Sequence, residues 1–119
     1  MSDISILNSV KKGLMGVTEN YEAFDDILLM HINSTFSILE QIGVGPDGGY
    51  SIEGEDETWG DYLGENETML ELVKNFMINK VKLAFDPPSS SFVLTSLEKQ
   101  TSELEWRIRV KMDSINAAK

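Results

Sequence analysis

Two pairs of carboxylates in this sequence have the spacing that a magnesium site on a helix requires. Glu19 and Glu22 are three residues apart, as are Glu53 and Asp56. Side chains at positions i and i+3 share one helix face, and Mg²⁺ prefers oxygen ligands. Helical pyrophosphohydrolases that cleave nucleotides use such pairs. Glu19, however, lies at or before the start of a predicted helix, and Glu53 and Asp56 lie in a glycine-rich segment, so this magnesium-dependent enzyme is only an alternative prediction.

The other groups that could do chemistry do not form a recognisable site. The run of acids from Glu53 to Glu57 lacks the EF-hand pattern, which favours a solvated acidic loop. His31 is the only histidine and there is no cysteine, so a Cys/His zinc cluster is excluded. The sequence contains no P-loop, dinucleotide fingerprint or G-x-S-x-G elbow. We therefore predict no enzymatic activity, no metal and no cofactor.

Charge is distributed unevenly along the chain, which has 119 residues and a net charge of −10. Residues 1–70 carry −12 and residues 71–119 carry +2, and the stretch 53–71 holds eight acids and no base. This excess of acid disfavours nonspecific binding to nucleic acid. We expect an acidic surface at one part of the molecule and a mildly basic surface at another.

Length and composition predict one globular domain over residues 1–119. Hydrophobic residues make up 41% of the chain and aromatic residues 8%, a composition typical of a packed core. No apolar run approaches the roughly 20 residues that span a bilayer, and no signal-peptide pattern is present. The lack of cysteine suits synthesis in a reducing cytoplasm.

The first two predicted helices are amphipathic. One is expected from about Asp3 to Leu14, with Ser2 or Asp3 as its N-cap. The second is expected from about Asn20 to Ile42, ended by Gly43. Its apolar residues recur every three or four positions and predict one buried face: Phe24, Leu28, Ile32, Phe36, Leu39 and Ile42.

A glycine-rich segment, residues 43–57, interrupts the helical pattern. Tyr50 and Ile52 alternate with polar residues, which predicts a β-hairpin or an irregular loop. A short helical turn is expected at Trp59–Leu63. The insertion is long for a connection in a small domain, so we expect it to have a function beyond joining helices.

A sharp corner is predicted at Phe85-Asp86-Pro87-Pro88. The preceding helix is expected to begin near Asn66 or Thr68, with Thr68 and Glu71 as a capping box. Each proline disfavours the α conformation in the residue before it, which ends this helix. A serine among residues 89–91 can cap the next helix. The result is an all-α bundle of about four helices with a hairpin or loop insertion at 43–57.

The end of the last helix has an unusual pattern. Apolar Ile108, Val110 and Met112 alternate with basic Arg107, Arg109 and Lys111, whereas a helix with one buried face has a period near 3.6. We therefore predict that residues 107–119 leave the bundle and dock on another protein.

Four strings in this sequence resemble the head–tail connector proteins of tailed bacteriophages, also called adaptor or head-completion proteins. They are "FDDILLMHINSTFSILEQIGVG" (24–45), "DETWGDYL" (56–63), "VKLAFDPPSSSFV" (81–93) and "ELEWRIRV" (103–110). The resemblance extends from about Asp3 to Asp113. It implies a small helical subunit without enzymatic activity. Such subunits form a ring, expected to be dodecameric, at the neck of the virion.

The resemblance also implies partners and surfaces. The partners are further copies, the portal protein, and the next neck or tail-completion protein. DNA passes through the channel without sequence-specific binding, and assembly takes place in the host cytoplasm. The candidate residues for portal docking are Trp106, Arg107, Ile108, Arg109, Val110, Lys111 and Met112. The candidate residues for a ring or neck interface are Val44, Tyr50, Ile52 and Trp59. The candidate residues for an acidic face toward the channel or a partner are Glu53, Glu55, Asp56, Glu57, Asp61, Glu65 and Glu67. A further alternative is a cytoplasmic regulator that binds a protein through this acidic face.

Overall fold

The computed structural model describes residues 4–14, 22–64 and 66–117. These ranges contain five α-helices: α1 (Ile6–Gly13), α2 (Asp25–Ile42), α3 (Trp59–Leu63), α4 (Glu67–Phe85) and α5 (Ser91–Ala117). They contain no β-strand, only one isolated bridge between Ser5 and Thr58. The predicted all-α class is therefore confirmed, with the short α3 as a fifth helix.

Helix α4 lies at the centre of the bundle. The other four helices pack against it, and α5 folds back along it as an αα-hairpin. The core is continuous from α1 to α5, and its buried members include Leu28, Ile32, Phe36 and Leu39 of α2, Val73, Phe76, Met77 and Val81 of α4, and Ile108 of α5. The predicted buried face of α2 is confirmed at its centre, whereas Phe24 is exposed at its start.

The start of α1 differs from the one predicted, whereas α4 begins directly after Asn66, one of its two predicted starts. The side chain of Ser5 caps α1 by accepting a hydrogen bond from the Asn8 amide at 3.3 Å; residues 1–3, where the cap was expected, lie outside the described ranges. The side chain of Asn66 caps α4 by accepting from the Met69 amide at 3.2 Å. The predicted Thr68–Glu71 capping box is wrong, because the helix begins before Thr68.

The proline corner forms as predicted. Helix α4 ends at Phe85, and the Asp86 amide donates to the Lys82 carbonyl at 2.8 Å. The Ser90 side chain accepts from the Val93 amide at the start of α5. The ring of Phe85 meets that of Phe24 edge-on, with centroids 5.2 Å apart, so the corner is also attached to the start of α2.

The 43–57 insertion is an irregular loop, one of the two forms predicted. Gly43 has a φ of 102° and ends α2 in the left-handed conformation, as its position predicts. The side chain of Asn33 then binds both backbone groups of Ile52: its Nδ2 donates to the carbonyl at 3.0 Å, and its Oδ1 accepts from the amide at 2.8 Å. This double hydrogen bond attaches the loop to the middle of α2.

A buried ion pair joins the end of α1 to the start of α2. Lys11 is only 1% exposed, and its Nζ lies 2.8 Å from Oδ1 of Asp25. Because an unpaired buried charge is strongly destabilising, this pair limits how the two helices can be placed.

The stability of the bundle is expected to fall at alkaline pH because of Tyr62. Its side chain is buried, its hydroxyl donates to the Val44 carbonyl at 3.5 Å, and burial raises its pKa above the usual value of 10.0. Above pH 10 the unfolded chain releases this proton and the folded chain retains it, so the free energy of unfolding falls by up to about 1.4 kcal/mol per pH unit. Urea unfolding between pH 9 and pH 11 (roughly the range around the free phenol pKa) measures this slope. Tyr62→Phe should reduce the slope, and an unchanged slope would contradict the assignment.

Candidate functional site

The C-terminal half of α5 stays in the bundle. The helix continues to Ala117; Ile108 is 0% exposed and Met112 packs against the core. The prediction that this segment leaves the bundle is therefore wrong for residues 107–117, and residues 118–119 lie outside the described ranges. Leu104, Ile108 and Met112 are spaced by four and share the inward face, whereas Val110 lies on the outward side. Ile108 is thus not available for portal docking, and Met112 is only partly exposed.

Several outward residues of this segment line a groove between α4 and α5. Trp106 is 63% exposed, and Arg107, Arg109 and Val110 are exposed as well. The groove has a volume of about 680 Å³, in the range of sites that hold several side chains or a small ligand. Eight residues line it, three from α4 and five from α5: Thr68, Glu71, Leu72, Trp106, Arg107, Val110, Lys111 and Ser114.

The charges that line the groove are two bases, Arg107 and Lys111, and one acid, Glu71. Arg109, outside the groove, forms an ion pair with Glu105 at 3.2 Å. Arg107 and Lys111, which line the groove, form no ion pair with any residue that the structure describes. The groove therefore combines the apolar surface of Trp106 and Val110 with two cations that form no ion pair and one carboxylate, Glu71, so that its lining is basic by one charge.

Three of the four residues predicted for a ring or neck interface belong to the core. Val44, Ile52 and Trp59 are all buried, because the 43–57 loop folds back and uses its apolar side chains as anchors. Their assignment as free contact residues is therefore wrong. The fourth, Tyr50, is partly buried and packs edge-on against the ring of Phe36, with centroids 5.1 Å apart.

The predicted acidic face has a defined centre in residues 53–57, called here the acidic loop. Glu53, Glu55 and Asp56 are exposed, and Glu57 is half-buried. The Glu53 amide donates to Oε2 of Glu57 at 2.7 Å, and the Glu57 carbonyl accepts from the Ile6 amide at 3.0 Å. The loop is thus closed on itself and attached to α1.

The other acidic candidates differ in environment. Asp61 is exposed, and its side chain accepts from the Thr58 amide at 3.0 Å in a capping box at the start of α3. Glu65 lies outside the described residues, and the side chain of Glu67 is not described. The acidic surface established by the structure is therefore the loop 53–57 together with Asp61.

The geometry expected of a magnesium enzyme is absent where it can be tested. Glu53 and Asp56 lie in an irregular loop rather than on a helix, and Glu19 lies outside the described residues. Among residues 4–14, 22–64 and 66–117, no three His, Asp or Glu side chains are grouped so that they could hold a metal ion. The carboxylate spacing noted in the sequence thus has no structural counterpart in these ranges.

Comparison with known proteins identifies the family. Residues 6–114 match the model of a family described as phage connector protein. The chain belongs to this family. The matched region begins at the first residue of α1 and ends in the last turns of α5, so all five helices of the connector contribute to it. Searches of curated proteins and of solved structures gave no match.

Family membership confirms the resemblance found in the four sequence strings. Phage connectors are structural proteins, and the family implies a virion component at the neck that assembles with portal and tail proteins. No helix in the described part of the chain has the length and apolar character needed to cross a membrane.

Proposed function

We propose that this connector forms a ring at the phage neck, attaches to the portal, extends the DNA channel, and joins the head to the tail or to the next neck protein. The observation that carries the proposal is the family match, which covers nearly the whole chain. The bundle supports it, because one core runs through all five helices and joins them into a single packed unit. The ring is proposed to be dodecameric, as the resemblance implies.

The surfaces of the subunit suit repetition around an axis. A ring requires two different surfaces that fit each other, because each copy contacts its neighbours head to tail. The connector has a basic groove on α4 and α5, and an acidic loop attached to α1 and α2. Of the segment predicted for portal docking, the exposed residues Trp106, Arg107, Arg109 and Val110 are available to a partner in the neck.

Deletion of the gene in the phage tests the proposed function. We expect DNA-filled heads and free tails to accumulate without joining, so that the infectious titre falls by several orders of magnitude. Electron microscopy of the lysate and plaque counts measure the two effects, and a plasmid copy of the gene should restore both. Normal numbers of joined particles without this protein would refute a role at the neck.

A further inference from the structure

We propose that the groove between α4 and α5 holds the acidic loop of a neighbouring copy of the same chain. The inference rests on the proposed function, because it assigns the contact by which copies repeat around the neck. It names one occupant for the groove: residues 53–57 of the next subunit.

The basic side chains and the apolar surface of the groove favour an acidic partner. Arg107 and Lys111 stand beside the apolar surface of Trp106 and Val110, form no ion pair with any described residue, and outnumber the one acid of the lining, Glu71. Tryptophan and arginine side by side are typical of the centre of protein interfaces. A carboxylate partner would neutralise both cations at the place where a second subunit covers the tryptophan.

The matching surface is present on the same chain. Glu55 and Asp56 are exposed and form no ion pair among the described residues. Between them and Glu53 lies Gly54, which has open space where a Cβ would stand. The loop backbone can therefore approach the Trp106 ring closely while carboxylates on both sides reach Arg107 and Lys111.

The acidic loop is already held in one conformation before any contact forms. Asn33 binds Ile52 on one side of it, and the Ile6 amide binds the Glu57 carbonyl on the other. The hydrogen bond from the Glu53 amide to the Glu57 carboxylate closes the loop between these two points. Little conformational freedom remains to be lost on binding, which favours association.

The position of the two surfaces favours a ring over a closed pair. The loop is attached to α1 and α2, whereas the groove is formed by α4 and α5. A head-to-tail contact between these two surfaces leaves one groove and one loop free on every pair, so further copies can add until the rotation closes. The net charge of −10 opposes the approach of identical chains elsewhere on the surface, which makes the basic groove the favoured point of contact.

A pair of engineered cysteines tests the contact in assembled necks. The chain contains no cysteine, so the double variant Glu55→Cys/Val110→Cys carries only the two thiols of interest. Phage grown with this variant should yield necks in which a short bismaleimide produces a ladder of covalent dimers, trimers and larger multimers on a denaturing gel. Either single variant should yield no multimer above the dimer. The matched control Glu55→Cys/Phe92→Cys uses an exposed residue at the other end of α5 and should yield no ladder.

The outcomes separate this inference from the proposed function. Necks that contain the protein but give no ladder would overturn the contact and leave the neck role intact. Crosslinking of Val110→Cys to the portal would overturn it as well, because the portal would then occupy the groove. Absence of the unsubstituted protein from purified necks of the parent phage would refute the proposed function itself.

Charge exchange provides a second measurement that does not depend on cysteine chemistry. Arg107→Glu/Lys111→Glu and Glu55→Lys/Asp56→Lys should each lower the infectious titre at least a hundredfold, because like charges then face each other. The four substitutions together restore opposite charges and should return the titre to within tenfold of the original. A combined variant no better than either parent would contradict the contact.

Discussion

A chain that ends at Trp106 is expected not to form a stable bundle. The truncation removes Ile108, which is fully buried, and Met112, which packs against the core and lies 3.8 Å from the position a Cβ would have on Gly43. Loss of a buried isoleucine side chain alone costs about 2–5 kcal/mol, a large part of the 5–15 kcal/mol or so that stabilises a domain. Thermal unfolding followed by circular dichroism should show no cooperative transition.

A matched pair of substitutions separates folding from docking in this segment. Ile108→Ala should lower the free energy of unfolding by about 2–5 kcal/mol, whereas Val110→Ala, two positions away on the exposed side, should change it by about 0.5 kcal/mol or less. A truncated chain that melts cooperatively within a few degrees of the full chain would show that the last turns of α5 are dispensable for folding. Truncation therefore cannot serve as a specific test of portal docking, and surface substitutions are needed.

Features that depend on local chemistry were predictable from the sequence. The corner at Asp86-Pro87-Pro88 follows from the backbone restrictions of proline, and the end of α2 at Gly43 follows from the left-handed conformation that glycine adopts there. The spacing of Leu28, Ile32 and Phe36 identifies a buried helix face without reference to any other element. In each case a few adjacent residues determine the outcome.

Features that depend on distant contacts were not predictable in the same way. Ile52 is buried because Asn33, 19 residues earlier, binds its backbone, and no local pattern in a glycine-rich segment indicates such a contact. The groove likewise depends on the register between α4 and α5, which brings Leu72 and Trp106 to the same groove. The burial of Met112 had a local signal: its spacing of four from Ile108 matches the helical period better than the apparent alternation does.

Substitution of alanine for each of the two tryptophans is expected to affect stability by very different amounts. Trp59 is 1% exposed, its indole N–H donates to Oγ of Ser9 at 3.1 Å, and its amide donates to the Ile4 carbonyl at 3.1 Å. Trp59→Ala removes this buried ring and should lower the free energy of unfolding by about 3–5 kcal/mol. Trp106→Ala, on the exposed face of α5, should change it by about 0.5 kcal/mol or less.

Comparison of these variants also tests the link between the core and the acidic loop. Trp59 lies two residues after the loop and holds α3 against α1, so its loss should free the backbone around Glu57 as well as lower stability. Trp106→Phe leaves Trp59 as the only tryptophan, and its fluorescence should shift to longer wavelength only when the bundle unfolds in urea. Hydrogen exchange of the Ile6 amide, which binds the Glu57 carbonyl, should be faster in Trp59→Ala and unchanged in Trp106→Ala. An equal exchange rate of the Ile6 amide in both variants would mean that Trp59 is not needed to hold the loop. The hydrogen bonds between Asn33 and Ile52 would then be what fixes the position of its carboxylates.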